Sequence, residues 1–233
     1  MNKELDFVQE MFDRIAPRYD FLNRLLSLRQ DIVWRTQMVK AAALKPGSRV
    51  LDVACGTCDV ALEVSAQLKN RVTVFGLDFS YNMLRLGQQK LEQQKSKNIT
   101  LLNGDALSLP FKDHLFDGVF IAFGIRNIMD RQRAVHSFLN VLKPNGRLAV
   151  LELTTPEKGW LKSLYLLYFQ KILPLIGSFF SKDNKAYTYL PESVLKFPTP
   201  TQFSRIMSQA GFQDVRFKQM TFGIVTLFIG SKP

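Results

Sequence analysis

The chain has 233 residues, 46% hydrophobic and 22% charged, with 31 Lys plus Arg against 20 Asp plus Glu. That apolar content suffices for one ordinary core and excludes a mostly disordered chain, while two cysteines exclude a disulfide framework and point to a reducing compartment. The net charge of +11 fits an anionic partner, a bilayer surface or nucleic acid, and fits plain solubility equally well.

The first twenty residues carry a charge every few positions and lack the apolar core of a secretion signal, so none is expected. Leu5, Val8, Phe12 and Ile15 recur at three- and four-residue spacing, which predicts an amphipathic helix over 2–16 that Pro17 stops. A second helix is expected over 31–44, closed by Pro46-Gly47. Strands then alternate with helices: strand 49–54, helix 59–68, strand 72–77, helix 80–93, strands 99–102 and 116–122, helix 131–142, strand 147–153. This rhythm implies parallel strands joined by right-handed crossovers, a doubly wound α/β domain over about 45–155. Residues 156–198 break it with nine aromatics interleaved with lysines; the apolar run 161–177 is interrupted by Lys162, Gln170, Lys171 and Pro174 and is too short to span a membrane. Thr199-Pro200 opens a further helix that Gly211 ends, and 215–221 with 224–230 predict a hairpin turning at Gly223.

Ligands of an open α/β sheet bind at the carboxyl ends of its strands. After the first strand, Gly56 and Thr57 form a small-residue turn at a helix N-terminus, with Asp52 just before it. Asp78 follows the second strand, where it can accept from ribose hydroxyls. Asp105-Ala106 follow the third, where a carboxylate can accept from an adenine amino group. The loop lacks the G-x-G-x-x-G of a pyrophosphate cradle, so the set suits a nucleoside without phosphates, such as S-adenosylmethionine. Cys55 and Cys58 have C-x-x-C spacing within this turn, but with only His114 and His136 elsewhere no metal site is expected, and small size accounts for both thiols.

The ordered set D-x-A-x-G-T, Gly-Leu-Asp and Gly-Asp-Ala resembles the class I S-adenosylmethionine-dependent methyltransferases. More narrowly, YDFLNRLLSLRQDIVWR (19–35), FGIRNIMD (123–130), VLKPNGRLAVLELTTP (141–156) and YTYLPESVLKFP (187–198) are similar to signatures of the ubiquinone/menaquinone biosynthesis C-methyltransferases, in collinear order along nearly the whole chain. The chain departs from that pattern at Leu22, Asp31, Asn145 and Thr155, where the family usually has methionine, histidine, glycine and serine.

The resemblance implies a Rossmann-like, mostly parallel seven-stranded sheet with an antiparallel C-terminal hairpin, in a single domain: an N-terminal helical lid (1–44), the cofactor core (45–155), a substrate-side insertion (156–198) and a C-terminal helix and hairpin (199–233). It implies Thr57, Asp78, Asp105 and Ala106 as cofactor contacts, S-adenosylmethionine as methyl donor with no metal, and a polyprenyl quinol as acceptor. Arg126, after the fourth strand, is expected to stabilise a developing ring oxyanion and Asn127 to orient the ring. Asp130, Tyr187 or a water held by Arg126 are the candidates to take the ring proton, and the spacing also allows a simple Arg126–Asp130 ion pair. Tyr19, Phe123, Tyr187 and Tyr189 are the expected substrate contacts, and neither histidine is expected to act as a base. The lysine-flanked aromatics suit a peripheral contact with the inner face of a membrane, from a cytoplasmic location, with no nucleic-acid partner; a homo-oligomer is compatible with the chain. Two other readings stay open, a methyltransferase for nucleic acid or another small molecule, and a cofactor-binding or thiol-redox module built on the cysteines.

Overall fold

The computed structural model describes residues 3–156 and 185–233, together with Gly159, Ser163 and Leu167. Its strands are β1 (Arg49–Val53), β2 (Thr73–Asp78), β3 (Ile99–Asn103), β4 (Phe116–Ala122), β5 (Leu142–Leu153), β6 (Gln213–Met220) and β7 (Val225–Ser231). They form one sheet in the order β3-β2-β1-β4-β5-β7-β6. The first five run parallel, and β7 lies antiparallel to both β5 and β6, so the C-terminal hairpin inserts its second strand against the parallel part. The order reverses between β1 and β4, which opens the ligand crevice at their carboxyl ends.

Side-chain alternation assigns the two faces. Val50, Phe120, Leu151 and Leu227 pack on one side, while Leu51, Val119, Ile121, Val150 and Phe228 pack on the other, all essentially inaccessible to water. The helices covering these faces are α3 (Gln30–Ala42), α4 (Asp59–Gln67), α5 (Tyr81–Gln93), α6 (Arg131–Val141) and α8 (Pro200–Gln209); α7 (Lys185–Lys196) precedes the last of these. The starts of α5 and α8 are chemically marked. The Ser80 hydroxyl accepts from Met83 N at 3.1 Å to cap α5, and Thr199 with Gln202 closes a full capping box on α8.

Two features depart from the sequence expectation. Pro17 does end α1 (Lys3–Ile15), but the chain passes through a 3₁₀ turn and re-enters a helix, α2 (Tyr19–Leu26), because proline is tolerated in a first helical turn. β5 begins at Leu142 rather than 147, since Leu142 pairs with Phe116 before a register shift to the Gly118–Arg147 pair. Within that irregularity Asn145 adopts φ +63°, a left-handed conformation that asparagine tolerates, which accounts for its standing where the family pattern has glycine. Most of the aromatic insertion, from residue 157 to 184 apart from Gly159, Ser163 and Leu167, lies outside the described residues, as does the side chain of Tyr187. No helix among the described residues is long and apolar enough to cross a membrane.

Candidate active site at the carboxyl edge of the sheet

The turn after β1 is built from left-handed residues: Ala54 (φ +51°), Gly56 (+54°) and Cys58 (+71°). Non-glycine residues rarely hold such angles, and they cluster where function over-determines the backbone. Asp78, buried at the end of β2, locks this turn by accepting from Gly56 N (2.7 Å) through Oδ2 and from Ser80 N (2.9 Å) through Oδ1. Burial pushes its carboxyl up to about 6. Asn103, not singled out in the sequence, braces the same corner by donating to the carbonyls of Asp78 and Phe79, both at 3.0 Å. Asp52 is deeper still; it accepts from Ala61 N (3.1 Å), anchoring the start of α4, and desolvation pushes its carboxyl up to about 8. Asp105 is exposed after β3, with Oδ1 accepting from Leu107 N, beside half-buried Ala106; Gly104 N donates to Asp78 O, joining this loop to the Asp78 corner. The three backbone segments thus converge on one edge, with buried Asp78 as acceptor and a glycine backbone open to close approach. That donor and acceptor set fits a nucleoside.

The cysteines are packing residues in this geometry. A Cβ at Gly87 would stand 2.5 Å from the Cys58 sulfur, and one at Gly76 would stand 3.0 Å from that of Cys55. Both thiols are free and buried, and the Cys58 contact together with desolvation pushes the Cys55 thiol well up, away from the thiolate that redox chemistry needs.

The N-terminal helices are tied to the loops after β1 and β2 through two carboxylates that hydropathy alone does not mark. Asp13 accepts from the Ser80 hydroxyl and Asp20 from the Thr57 hydroxyl, each at 2.5 Å. Lys90 bridges Asp20 (2.6 Å) and Asp59 (2.9 Å) and donates to Thr57 Oγ1 (3.1 Å). Arg24 pairs with Asp59 at 2.8 Å and also with Asp31, which is buried and accepts from Arg35 at 2.5 Å and from the Ser27 hydroxyl at 2.9 Å. Asp31, a departure from the family pattern, is therefore one member of a balanced chain of three acids and three bases that ties α2 and α3 to α4 and α5.

A second polar and aromatic cluster forms after β4. Phe123 turns the chain with φ +58°, and its ring meets Trp34 at 6.1 Å and the Arg35 guanidinium at 5.6 Å. Arg126 follows in a short 3₁₀ turn (Ile125–Asn127) and is buried; its Nη1 donates to Glu152 Oε1 (2.8 Å) and to Phe123 O (2.5 Å). The Asn127 side-chain Oδ1 accepts from the Tyr189 hydroxyl at 3.1 Å. Tyr19 lies edge-on to Phe12, 6.1 Å between centroids, and a Cβ on Gly56 would touch its ring, so one aromatic residue spans the two halves of the site. Desolvation pushes its phenol up, against the pull of Asn23, Arg35 and Arg126.

Asp130 stands apart. It is exposed, and its Oδ1 accepts from Arg133 N at 2.9 Å as the N-cap of α6. The Arg126–Asp130 ion pair that the spacing allows is not formed, because Ile128 is extended and the two residues do not share a helix face. Glu152, which sequence reasoning missed, takes that place.

The model of the ubiE/COQ5 methyltransferase family matches residues 1–232. The chain is 46% identical over 226 residues to the ubiquinone/menaquinone biosynthesis C-methyltransferase UbiE of Geotalea daltonii, covering 97% of this chain and 96% of that protein. It is 38% identical over the same length to a demethylmenaquinone methyltransferase of Bacillus cereus, with 97% and 95% covered. Among solved structures it is similar to a putative methyltransferase bound to the Trm112 activator of Haloferax volcanii (TM-score 0.70, 16% identity, 95% of this chain and 97% of that one) and to a SAM-dependent methyltransferase of Aquifex aeolicus (0.64, 18%, 85% and 89%). At these identities the two structures bear on the fold alone.

Proposed function

Because the chain belongs to the ubiE/COQ5 methyltransferase family, and is thereby an S-adenosylmethionine-dependent C-methyltransferase of quinone biosynthesis, we propose that it methylates a ring carbon of a polyprenyl quinol, a demethylmenaquinol or the methoxy-benzoquinol of the ubiquinone route. The observation that carries this reading is the placement of buried Arg126 and of Asn127 on the loop after β4, beside the loops that fit the methyl donor.

Asp78, Gly56, Thr57, Asp105 and Ala106 would hold S-adenosylmethionine, with Asp52 supporting the turn from below. When bound, it supplies an electrophilic methyl group. An aromatic carbon is a poor nucleophile until a neighbouring hydroxyl ionises, so the chain must favour the oxyanion and aim its ortho carbon. In this reading the buried Arg126 guanidinium stabilises the oxyanion away from bulk solvent, where a fixed charge acts strongly. Asn127, held by Tyr189, orients the ring, and Tyr19 and Phe123 provide the apolar walls, with Tyr187 a further contact. The hydroxyl proton passes to water as the oxyanion forms and is regained after transfer, so the one proton released overall is the ring proton, which leaves to water held near Arg126 rather than to Asp130, whose carboxylate caps α6. The N-terminal helices serve as the lid, fastened through Asp13 and Asp20.

The reading is tested by incubating the protein and methyl-labelled S-adenosylmethionine with lipid extracts from strains blocked in one or the other quinone pathway. Label is expected in the quinone fraction of one extract; label in neither contradicts it. A membrane-dissolved acceptor, the net charge of +11 and the lysine-flanked aromatics of 156–198 support peripheral contact with an anionic bilayer. Flotation with anionic vesicles is expected to carry the protein at low salt and release it at high salt, whereas the same partition at both would count against an electrostatic contact.

A further inference from the structure

Glu152 is inaccessible to solvent at the carboxyl end of β5, adjacent to β4 in the sheet. Its Oε1 accepts from Arg126 Nη1 (2.8 Å) and from Leu153 N (2.8 Å), and its Oε2 accepts from Arg126 N (3.1 Å). One carboxylate therefore grips both the backbone and the head group of a single arginine. The carbonyl of Phe123 takes the other hydrogen bond of Nη1, so that nitrogen is fully used inside the protein. Arg126 Nε, on the opposite edge of the planar guanidinium, is buried and has no hydrogen-bond partner among the described residues. A buried N–H without an acceptor is unfavourable by about 1–3 kcal/mol, and such groups in a native fold call for a partner supplied by something else. Tyr19 and Tyr189 both lie within the field of this guanidinium, and Arg131, which donates to the Arg126 carbonyl at 2.7 Å, lies within that of Glu152.

We propose that Glu152 is a positioning residue for methyl transfer: by holding Arg126 at Nη1 and at its backbone N–H, it presents the Nε–H edge to the ring oxyanion, and its charge sets how strongly that edge favours ionisation. The inference rests on the assignment of Arg126 to the oxyanion. Geometry and electrostatics separate in two substitutions. E152D keeps the charge but withdraws it by one methylene, which frees the guanidinium to turn. E152Q keeps the length and removes the charge, which leaves a buried arginine without its counter-ion.

The test measures kcat, its pH profile and thermal stability for E152D, E152Q, R126A and the double variant R126A/E152Q. E152D is expected to lower kcat by about 10- to 100-fold through misplacement, with the ionisation limb unmoved or shifted toward higher pH as the edge turns away from the oxyanion. E152Q is expected to shift the ionisation limb of kcat toward lower pH, because the uncompensated guanidinium draws the quinol hydroxyl to ionise earlier. The double variant removes both charges, so it is expected to be more stable than E152Q and to match R126A in kcat. Should E152Q not fold, E152D and the double variant still decide. Wild-type kcat in E152D, or losses that multiply in the double variant, would overturn the proposal; full activity in R126A itself would instead remove the oxyanion assignment on which it rests.

Discussion

Arg126→Ala is expected to lower kcat by about 10²–10³-fold while leaving the dissociation constant of S-adenosylmethionine within about threefold. The asymmetry follows from where the residue sits. Arg126 belongs to the loop after β4 and bonds to Glu152 and Phe123, whereas the loops that fit the donor are held by Asp78, Asn103 and Asp52. Removing the guanidinium leaves those contacts in place and deletes the buried cation that forms the ion pair with Glu152. It also leaves the Glu152 carboxylate buried and unpaired, at about 3–5 kcal/mol of stability. Arg126→Lys separates the two effects. It restores a charge for Glu152 but not the planar fork, so stability is expected to recover further than turnover. Calorimetry for donor binding, steady-state kinetics and thermal melts on the three proteins check each part. Turnover close to wild type in Arg126→Ala would remove the oxyanion role.

Asp78→Ala is expected to do the reverse, weakening donor binding by about 100-fold through loss of a charged acceptor for two hydroxyl donors. The same substitution unties Gly56 N and Ser80 N, so the turn after β1 loosens as well. The wild-type protein should show a pH signature of this residue. Its carboxyl is pushed up to about 6 by burial, and hydroxyl donors favour the ionised form, so donor affinity is expected to fall as pH drops below about 6 and to hold steady above it. In Asp78→Asn that dependence should vanish. Stability of the ligand-free protein runs the other way: with folded values raised above the ordinary carboxylate range, the contributions of Asp78 and Asp52 are complete at low pH and are lost as pH rises through about 6 and about 8. Saturating donor, by favouring ionised Asp78, is expected to offset the first of these losses. Melting temperatures over pH 5 to 9, with and without donor, distinguish the two trends.

The parallel part of the fold was legible because each buried strand is a short apolar run bounded by turn chemistry, and the positions of β1, β2, β3 and β4 agree with the expected ones to within a residue. The corner proposed for the cofactor is marked in the sequence in the same way: Asp78 closes β2, and Gly56 and Asp105 lie within three residues of the ends of β1 and β3, the edge where ligands of such sheets bind. What stayed hidden is long-range. α2 was obscured because proline reads equally as a stop and as a first-turn residue. Asp13 and Asp20 look like the polar face of any surface helix until the fold brings Ser80 and Thr57 to them across 67 and 37 residues of chain. Glu152 sits in LAVLEL, where alternation marks it only as a strand position; its burial would have signalled function, and burial of a single charge cannot be seen in a hydropathy pattern. The Arg126–Asp130 spacing misled in the opposite sense, since a four-residue interval brings side chains together only on a continuous helix. The C-x-x-C motif similarly lost its apparent chemistry once Gly76 and Gly87 were seen to make room for the two sulfurs.

The central claim is that this site methylates a ring carbon made nucleophilic by an adjacent oxyanion. It is tested most directly by offering the purified protein methyl-labelled S-adenosylmethionine with the same demethylated polyprenyl quinone in its reduced and its oxidised form, and locating the label by fragmentation mass spectrometry. Transfer to a ring carbon of the reduced form alone is the predicted result. Label on oxygen, equal transfer to the oxidised quinone, which has no hydroxyl to ionise, or no transfer to either would contradict it.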